Sequence, residues 1–221
     1  VDNVDLDAAT DAGVLVMNTP GGNAVSVAEH TVALMLAMAR SIPQASASTK
    51  AGKWEKKKFL GNELRSKTIG IIGLGSIGRE VARRVRGFET RMVAMDPYVS
   101  SQTAADLGIE LVSLNQLYKE ADYITLHMAL TPETQGMIND AAIGKMKQGV
   151  RIVNCARGEL IDPAALAKGL ESGKVGGAAL DVFQTEPPAA GEPLLNFDSV
   201  VATPHIGGST LEAQEAIGRE V

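Results

Sequence analysis

Three polar residues in the second half of the chain carry the chemistry of one reaction. Arg157 lies in N-C-A-R-G-E at 154–159, Glu186 in Q-T-E-P-P at 184–188, and His205 in T-P-H-I-G-G at 203–208. Oxidising an alcohol by hydride transfer requires a base for the hydroxyl proton, and imidazole is the side chain that titrates near neutral pH. A carboxylate beside it would hold the ring and stabilise imidazolium, while a guanidinium forks onto a substrate carboxylate and orients the reacting carbon. Each residue also has a plainer use. Arg157 could cap a helix or pair with Glu159, Glu186 could be a surface acid before two prolines, and His205 could be a satisfied loop histidine. Whether they act together depends on the elements that carry them.

Those elements begin with the stretch T-I-G-I-I-G-L-G-S-I-G-R-E-V-A at 68–82. An apolar run at 69–72 meets Gly73, Gly75 and Gly78 and passes into helical periodicity at Ile77, Val81, Ala82 and Val85. A second apolar run, 92–95, ends on Asp96. This is strand, tight turn, helix, strand with an acid about 20 residues beyond the glycines, the spacing of a dinucleotide fingerprint. Gly73 permits the turn, Gly75 lets a pyrophosphate approach the backbone, and Gly78 lets the helix pack closely, while the helix N-terminus supplies N–H groups. Asp96 is placed to accept ribose hydroxyls and to repel the extra phosphate of NADP, and Pro97-Tyr98 brings no arginine to neutralise one. The expected cofactor is NAD.

Further strands are expected to open at Tyr123, Val150, Val175 and Val200. With those opening at Ile69 and Met92 they make six, alternating with helices around 104–107, 115–119, 137–146 and 163–170. The fold class is therefore α/β, a doubly wound parallel sheet of the Rossmann type. Arg157, Asp181, Glu186 and His205 all follow strands, so they should meet at the carboxyl edge, where open α/β sheets bind ligands. His127 also follows a strand, but its apolar neighbours Met128, Ala129 and Leu130 suggest packing against the cofactor. His30, within a helix, reads as structural.

Before the glycine turn, residues 14–17 suggest a small strand and 24–40 a helix whose second half, 32–39, is apolar on every face. Such a helix is buried in the interior or shared with a second subunit, so a homodimer is expected. Pro43 should end it, and a polar loop should follow with Trp54 and Lys53, Lys56, Lys57 and Lys58. That charge run reads first as a solvated face and, more sharply, as an attractor for an anionic substrate. A final polar helix should start near Ser209, capped by Ser209 or Thr210.

Composition bounds the partners. The 221 residues, 45 % of them hydrophobic, suffice for a packed core. A net charge of −5 argues against nucleic acid. The one cysteine, Cys155, makes no internal disulfide, and no zinc-type Cys/His spacing occurs, which suits a reducing, cytoplasmic setting. The longest strongly apolar stretch, 31–39, is too short for a bilayer, so no membrane partner is expected. Neither H-E-x-x-H nor G-x-x-x-x-G-K-[ST] occurs. The chain begins on Val1, and the natural N-terminus is expected to lie upstream.

At these motifs the chain resembles the D-2-hydroxyacid dehydrogenases. The resemblance rests on V-M-N-T-P at 16–20, G-K-W-E-K-K-K-F at 52–59, G-L-G-S-I-G-R-E-V-A at 73–82, N-C-A-R-G-E, A-A-L-D-V-F at 178–183 and T-P-H-I-G-G. The lysine-rich stretch points to the phosphoglycerate-oxidising branch of serine biosynthesis. The family pattern implies that Arg157 binds the substrate carboxylate, Glu186 supports the histidine, and His205 is the acid/base. It also implies that Ser76 and Ile77 sit under the pyrophosphate, that Asp96 holds the ribose, and that Met128, Cys155, Ala156, Asp181, Gly207 and Gly208 lie around the cofactor. The lysines after Trp54 match a loop reaching toward substrate phosphate across a dimer. Two departures bear on cofactor contacts: relatives often carry a basic residue where Ser76 stands and Thr-Pro where Met128-Ala129 stands.

The resemblance also implies a second, substrate-binding domain that is largely missing from this chain. Residues 1–20 read as its remnant, 21–208 as the NAD-binding domain, and 209–221 as the start of the helix returning to it. Other members of the family, acting on glyoxylate or hydroxypyruvate, share the three catalytic residues. C-terminal-binding-protein corepressors keep the fold as NAD-sensing scaffolds. Formate dehydrogenases usually carry an amide where Glu186 stands.

Overall fold

The computed structural model describes residues 4–19 and 21–220. Residues 1–3, Pro20 of the 16–20 motif, and residue 221 lie outside that description. The strands are β1 (Thr68–Ile72), β2 (Arg91–Met95), β3 (Glu110–Leu111), β4 (Tyr123–Leu126), β5 (Val150–Asn154), β6 (Val175–Leu180) and β7 (Val200–Ala202). The α-helices are α1 (Leu6–Asp11), α2 (Ala24–Ala39), α3 (Ile42–Lys50), α4 (Ser76–Val85), α5 (Ser101–Asp106), α6 (Leu114–Glu120), α7 (Asp140–Lys145), α8 (Pro163–Glu171) and α9 (Leu211–Glu220).

All seven strands run parallel in the order β3-β2-β1-β4-β5-β6-β7. β1 and β4 are apolar along their length, apart from a threonine in each, and buried throughout. A parallel sheet covered on both faces demands this. One face packs on α2, α4 and α5 through Met35, Val81, Val85 and Ala104; the other packs on α6, α7 and α8 through Leu117, Ile143 and Leu166. In register, Met95 pairs with Ile72, Ile72 with Leu126, Leu126 with Asn154, Asn154 with Leu180, and Leu180 with Ala202. The residues after these strand ends therefore line one edge. Reversal of strand order between β1 and β4 opens the crevice of this fold there.

Several expectations need correction. The sheet has seven strands rather than six, because the two-residue edge strand β3 is too short to carry an alternating pattern. Residues 14–17 form no strand; Val14, Leu15 and Met17 are exposed and pair with no sheet. Pro43 does not lead into a loop. It occupies the first turn of α3, where its missing N–H costs nothing. The helix expected at 137–146 is shorter, since Asn139 caps α7 and Ile138 bridges to Ile161 instead. The second half of α2 is buried except along Ala33, Leu36 and Ala37. The expected cap of α9 is met by the second of its two candidates, the Thr210 hydroxyl accepting from Ala213 N–H at 3.1 Å.

Candidate active site at the carboxyl edge

The glycine turn is built by sterics. A Cβ at Gly78 would stand 2.0 Å from the Gly73 carbonyl oxygen, so only glycine lets α4 approach β1 this closely. Gly73 has φ +95°, and a Cβ there would meet the His127 carbonyl at 2.7 Å. At Gly75 a Cβ would meet nothing within 4 Å: the backbone faces open space at the head of α4, whose N-cap carries no side-chain hydrogen bond. A bare helix N-terminus fronting space fits an anionic group. Asp96 is held in place by the same turn, accepting Leu74 N–H at 2.7 Å and Tyr98 N–H at 2.8 Å.

Beside this turn lies a cleft of about 410 Å³. Of the residues singled out from the sequence, Ile77, Met128, Cys155, Ala156, Arg157, Asp181, His205, Gly207 and Gly208 line it. Gly73, Gly75, Ser76, Gly78, Asp96 and Glu186 do not; the first five form the neighbouring turn and its acid, and Glu186 stands behind His205. Asn23 and Val27 also line the cleft and were not anticipated. No local pattern marks them. They arrive because Gly207 and Gly208 allow the head of α2 to close in, a Cβ at Gly208 standing 3.0 Å from Asn23 Nδ2.

His205 Nδ1 lies 2.6 Å from Glu186 Oε2. Glu186 Oε1 accepts the Phe183 N–H at 3.0 Å, fixing the carboxylate to the end of β6. With Nδ1–H donated to the carboxylate, Nε2 is the ring nitrogen left for a reacting proton. Arg157 is positioned from below: Asn154, at the end of β5, donates Nδ2–H to the Arg157 carbonyl and accepts the Ala156 N–H.

The histidine loop hangs on Asp181. Its Oδ1 accepts from the Thr203 hydroxyl at 2.6 Å and Ile206 N–H at 2.9 Å, and its Oδ2 accepts Gly207 N–H at 2.8 Å. His30 Nε2, from α2, lies 3.2 Å from Oδ1 and 3.0 Å from the Thr203 hydroxyl, and Ser26 donates to the Gly207 carbonyl. Burial alone would raise the Asp181 pKa, yet His30, Thr203 and the two backbone N–H groups bring it down to about 2. His205 itself takes φ +53°, a left-handed conformation that this network must enforce.

The other polar groups of the cleft are quiet. His127 Nε2 meets the Thr125 hydroxyl at 2.9 Å, its Nδ1 is enclosed without a partner among the described residues, and burial lowers its pKa to about 3. It is a neutral wall. Burial pushes the Cys155 thiol up to about 12, a nearby Thr31 hydroxyl opposing and Asp181 adding to the shift, so it is no nucleophile at neutral pH. No metal-binding cluster occurs among the described residues. No single helix among them is long and apolar enough to cross a membrane.

Residues 32–207 match the family described as D-isomer specific 2-hydroxyacid dehydrogenase, NAD binding domain. The chain belongs to this family. D-3-phosphoglycerate dehydrogenase of Archaeoglobus fulgidus is 53 % identical over 218 residues, covering 99 % of this chain and 41 % of that protein. The Homo sapiens protein of the same name is 50 % identical over all 221 residues, again 41 % of its length. The chain thus spans about two fifths of these relatives. Among solved structures, a glyoxylate reductase from Paecilomyes thermophila superposes with a TM-score of 0.90 at 39 % identity, covering 99 % of this chain and 66 % of that one. D-lactate dehydrogenase of Aquifex aeolicus, complexed with NAD and lactic acid, gives a TM-score of 0.87 at 34 % identity, covering all of this chain and 71 % of that one. The family's cofactor is NAD, and the open glycine turn and Asp96 fit it.

The lysine loop stands elsewhere. After the 3₁₀ turn Lys56–Phe59, the chain returns to the C-terminal end of α2, where Asn62 N–H bonds the Ala39 carbonyl. Leu60 lines a small cavity with Arg151, Gly176 and Ser199, at the amino ends of β5, β6 and β7. Lys53, Lys56, Lys57 and Lys58 are not among the residues that line this chain's cleft.

Proposed function

We propose that this chain is the NAD-binding part of a D-3-phosphoglycerate dehydrogenase, which oxidises 3-phosphoglycerate to 3-phosphohydroxypyruvate in serine biosynthesis. The His205–Glu186 pair, 2.6 Å apart, with His205 sharing one cleft with Arg157 beside the glycine turn, carries the dehydrogenase reading, and the 50–53 % identity to D-3-phosphoglycerate dehydrogenases over nearly the whole chain carries the choice of substrate. Bound nicotinamide supplies the hydride chemistry. Arg157 grips the substrate carboxylate and carbonyl oxygen, which fixes the face presented by the reacting carbon. His205 Nε2 takes the hydroxyl proton, and Glu186 holds Nδ1–H and stabilises the imidazolium that forms. Ser76 and Ile77 lie under the pyrophosphate, and Asp96 takes the ribose.

Domain limits follow the same proposal: 1–20 and 209–221 belong to the connection with a substrate domain, and 21–208 bind the nucleotide. In a cytoplasmic homodimer, the lysines of one subunit would serve the cleft of the other. Their absence from the lining of their own cleft and the exposure of Trp54, 85 %, and Leu60, 92 %, support that arrangement. A second reading, a reductase of glyoxylate or hydroxypyruvate, is favoured by the 39 % identity to a glyoxylate reductase over nearly the whole chain.

The test is NADH consumption by the full-length protein with phosphohydroxypyruvate, hydroxypyruvate and glyoxylate at matched concentrations. Strong preference for the phosphorylated acid is expected. Equal rates on the three would move the assignment to a general hydroxyacid reductase. This chain alone is expected to bind NAD but turn over poorly, because the substrate domain closes the cleft against water. Equal turnover by the chain and the full-length protein would overturn that point.

A further inference from the structure

His205 stands on a loop that one helix holds on both sides of it. Ser26 and His30 are spaced by one turn of α2, so their side chains leave the same face. His30 reaches the loop ahead of His205: its Nε2 lies 3.0 Å from the Thr203 hydroxyl and 3.2 Å from Asp181 Oδ1. Ser26 reaches it beyond His205, donating to the Gly207 carbonyl at 2.8 Å. Between these anchors His205 N–H bonds the Thr203 carbonyl at 3.0 Å, and Ile206 N–H bonds Asp181 Oδ1 at 2.9 Å. A non-glycine residue at φ +53° persists only where its surroundings over-determine it.

The neighbours of His30 also fix its tautomer. The Asp181 side chain is 1 % exposed, and a carboxylate only accepts. The single hydroxyl proton of Thr203 is directed to Oδ1 at 2.6 Å, so toward His30 that oxygen accepts as well. Nε2 therefore carries a hydrogen shared between the two. The opposite tautomer would set an imidazole lone pair against a buried carboxylate. Without the His30 donor, Thr203 and Ile206 would still hold Oδ1, but the loop would lose its side-chain tie to α2 ahead of His205. His30 does this from outside the cleft, whose lining it does not join.

We propose that His30 is a positioning residue for the hydride-transfer reaction: its Nε2–H, shared by Thr203 and Asp181, fixes the loop that aims the His205 ring. The inference rests on the reading of His205 as the acid/base.

The test compares three variants. His30→Leu removes the donor at similar volume, His30→Gln carries an amide N–H that reaches about as far as Nε2, and His30→Asn carries one that falls short. Turnover by the full-length protein is measured on whichever of phosphohydroxypyruvate, hydroxypyruvate and glyoxylate it reduces fastest. In the leucine and asparagine variants kcat should fall about tenfold or more while KM for NADH stays within about threefold, and glutamine should restore most of the rate. A second readout needs no substrate. In this chain, which has three histidines, the imidazole NMR signals of His205 should shift or multiply in His30→Leu and His30→Asn and match the parent's in His30→Gln. Asparagine against glutamine carries the comparison if the leucine variant does not fold. Parental turnover in the leucine and asparagine variants, an equal loss in all three, or His205 signals unmoved throughout would overturn the proposal. Signals that move as expected, with no turnover by the parent on any of the acids, would overturn the dehydrogenase reading while upholding the placement of His205 by His30.

Discussion

The glycine turn and the histidine loop sit at the same edge of the sheet, yet they are made in opposite ways. The turn is backbone and empty space: three glycines, each excluding or permitting one close approach, and one acid pinned by two neighbouring N–H groups. The histidine loop is a web of side chains from distant segments: Asp181 from β6, His30 and Ser26 from α2, and Glu186 from the loop beyond. A site assembled locally is stable to changes elsewhere, whereas one assembled from four segments needs every partner. The difference predicts that mutations in the turn will act on folding or on cofactor affinity, one or the other, while mutations around the loop will act on catalysis and stability together.

The sharpest test is His205→Ala in the full-length protein. Turnover should fall about 10²–10⁴-fold with NAD affinity nearly unchanged, read by steady-state rates beside calorimetry. Loss of NAD affinity in proportion would make His205 a structural residue. Next is Gly78→Ala, which drives a Cβ into the Gly73 carbonyl at 2.0 Å. It should cost about 3 kcal/mol or more in urea unfolding. Its counterpart, Gly75→Ala, meets open space. It should leave stability within about 0.5 kcal/mol and weaken NAD binding about tenfold or more. If the two glycines behaved alike, the division between packing and ligand approach would fail.

Asp181→Ala leaves the Gly207 and Ile206 N–H groups and the Thr203 hydroxyl without their acceptor, so it should cost about 2–3 kcal/mol and also slow turnover by freeing His205. A stability loss with turnover intact would show that the network does not position the ring.

The smallest effect concerns pH. The folded pKa of His127, about 3, lies below the unfolded value near 6.5, so the unfolded chain binds the extra proton as pH falls. Stability from this group is complete above about pH 6.5 and is lost progressively toward pH 3, amounting to about 1.4 kcal/mol at pH 5.5. His127→Gln should flatten that part of the stability–pH curve. Asp181, held at about 2 against an unfolded value near 3.9, adds a loss of the same sign only below about pH 4.

Much of the fold could be read from the residues, because its information is local. Apolar runs of four to six residues, glycines at a turn and Ser or Asp caps act within one turn or one strand, and Thr68–Ile72, Arg91–Met95, Tyr123–Leu126 and Val175–Leu180 fall close to where the pattern places them. The misreadings arose where the pattern is weakest or where Pro43 was given the wrong sign. A two-residue edge strand has no alternation to detect, and a proline that opens α3 looks the same in sequence as one that closes α2.

The sequence by itself determined the strand–turn–helix, the placing of Asp96 beyond it and the types of group that follow each strand, since these depend on neighbours a few bonds away. Only the tertiary structure decided which of those groups meet. Register across five strand pairs aligns the ends that carry Asp96, Cys155 and Asp181, and hydrogen bonds spanning 19 to 181 residues of chain bind His205 to Glu186 and its loop to α2. The same packing brings Asn62, just after the lysine run, to the C-terminal end of α2 and leaves the lysines out of the cleft's lining. Charge and type are properties of a residue; distance is a property of the fold.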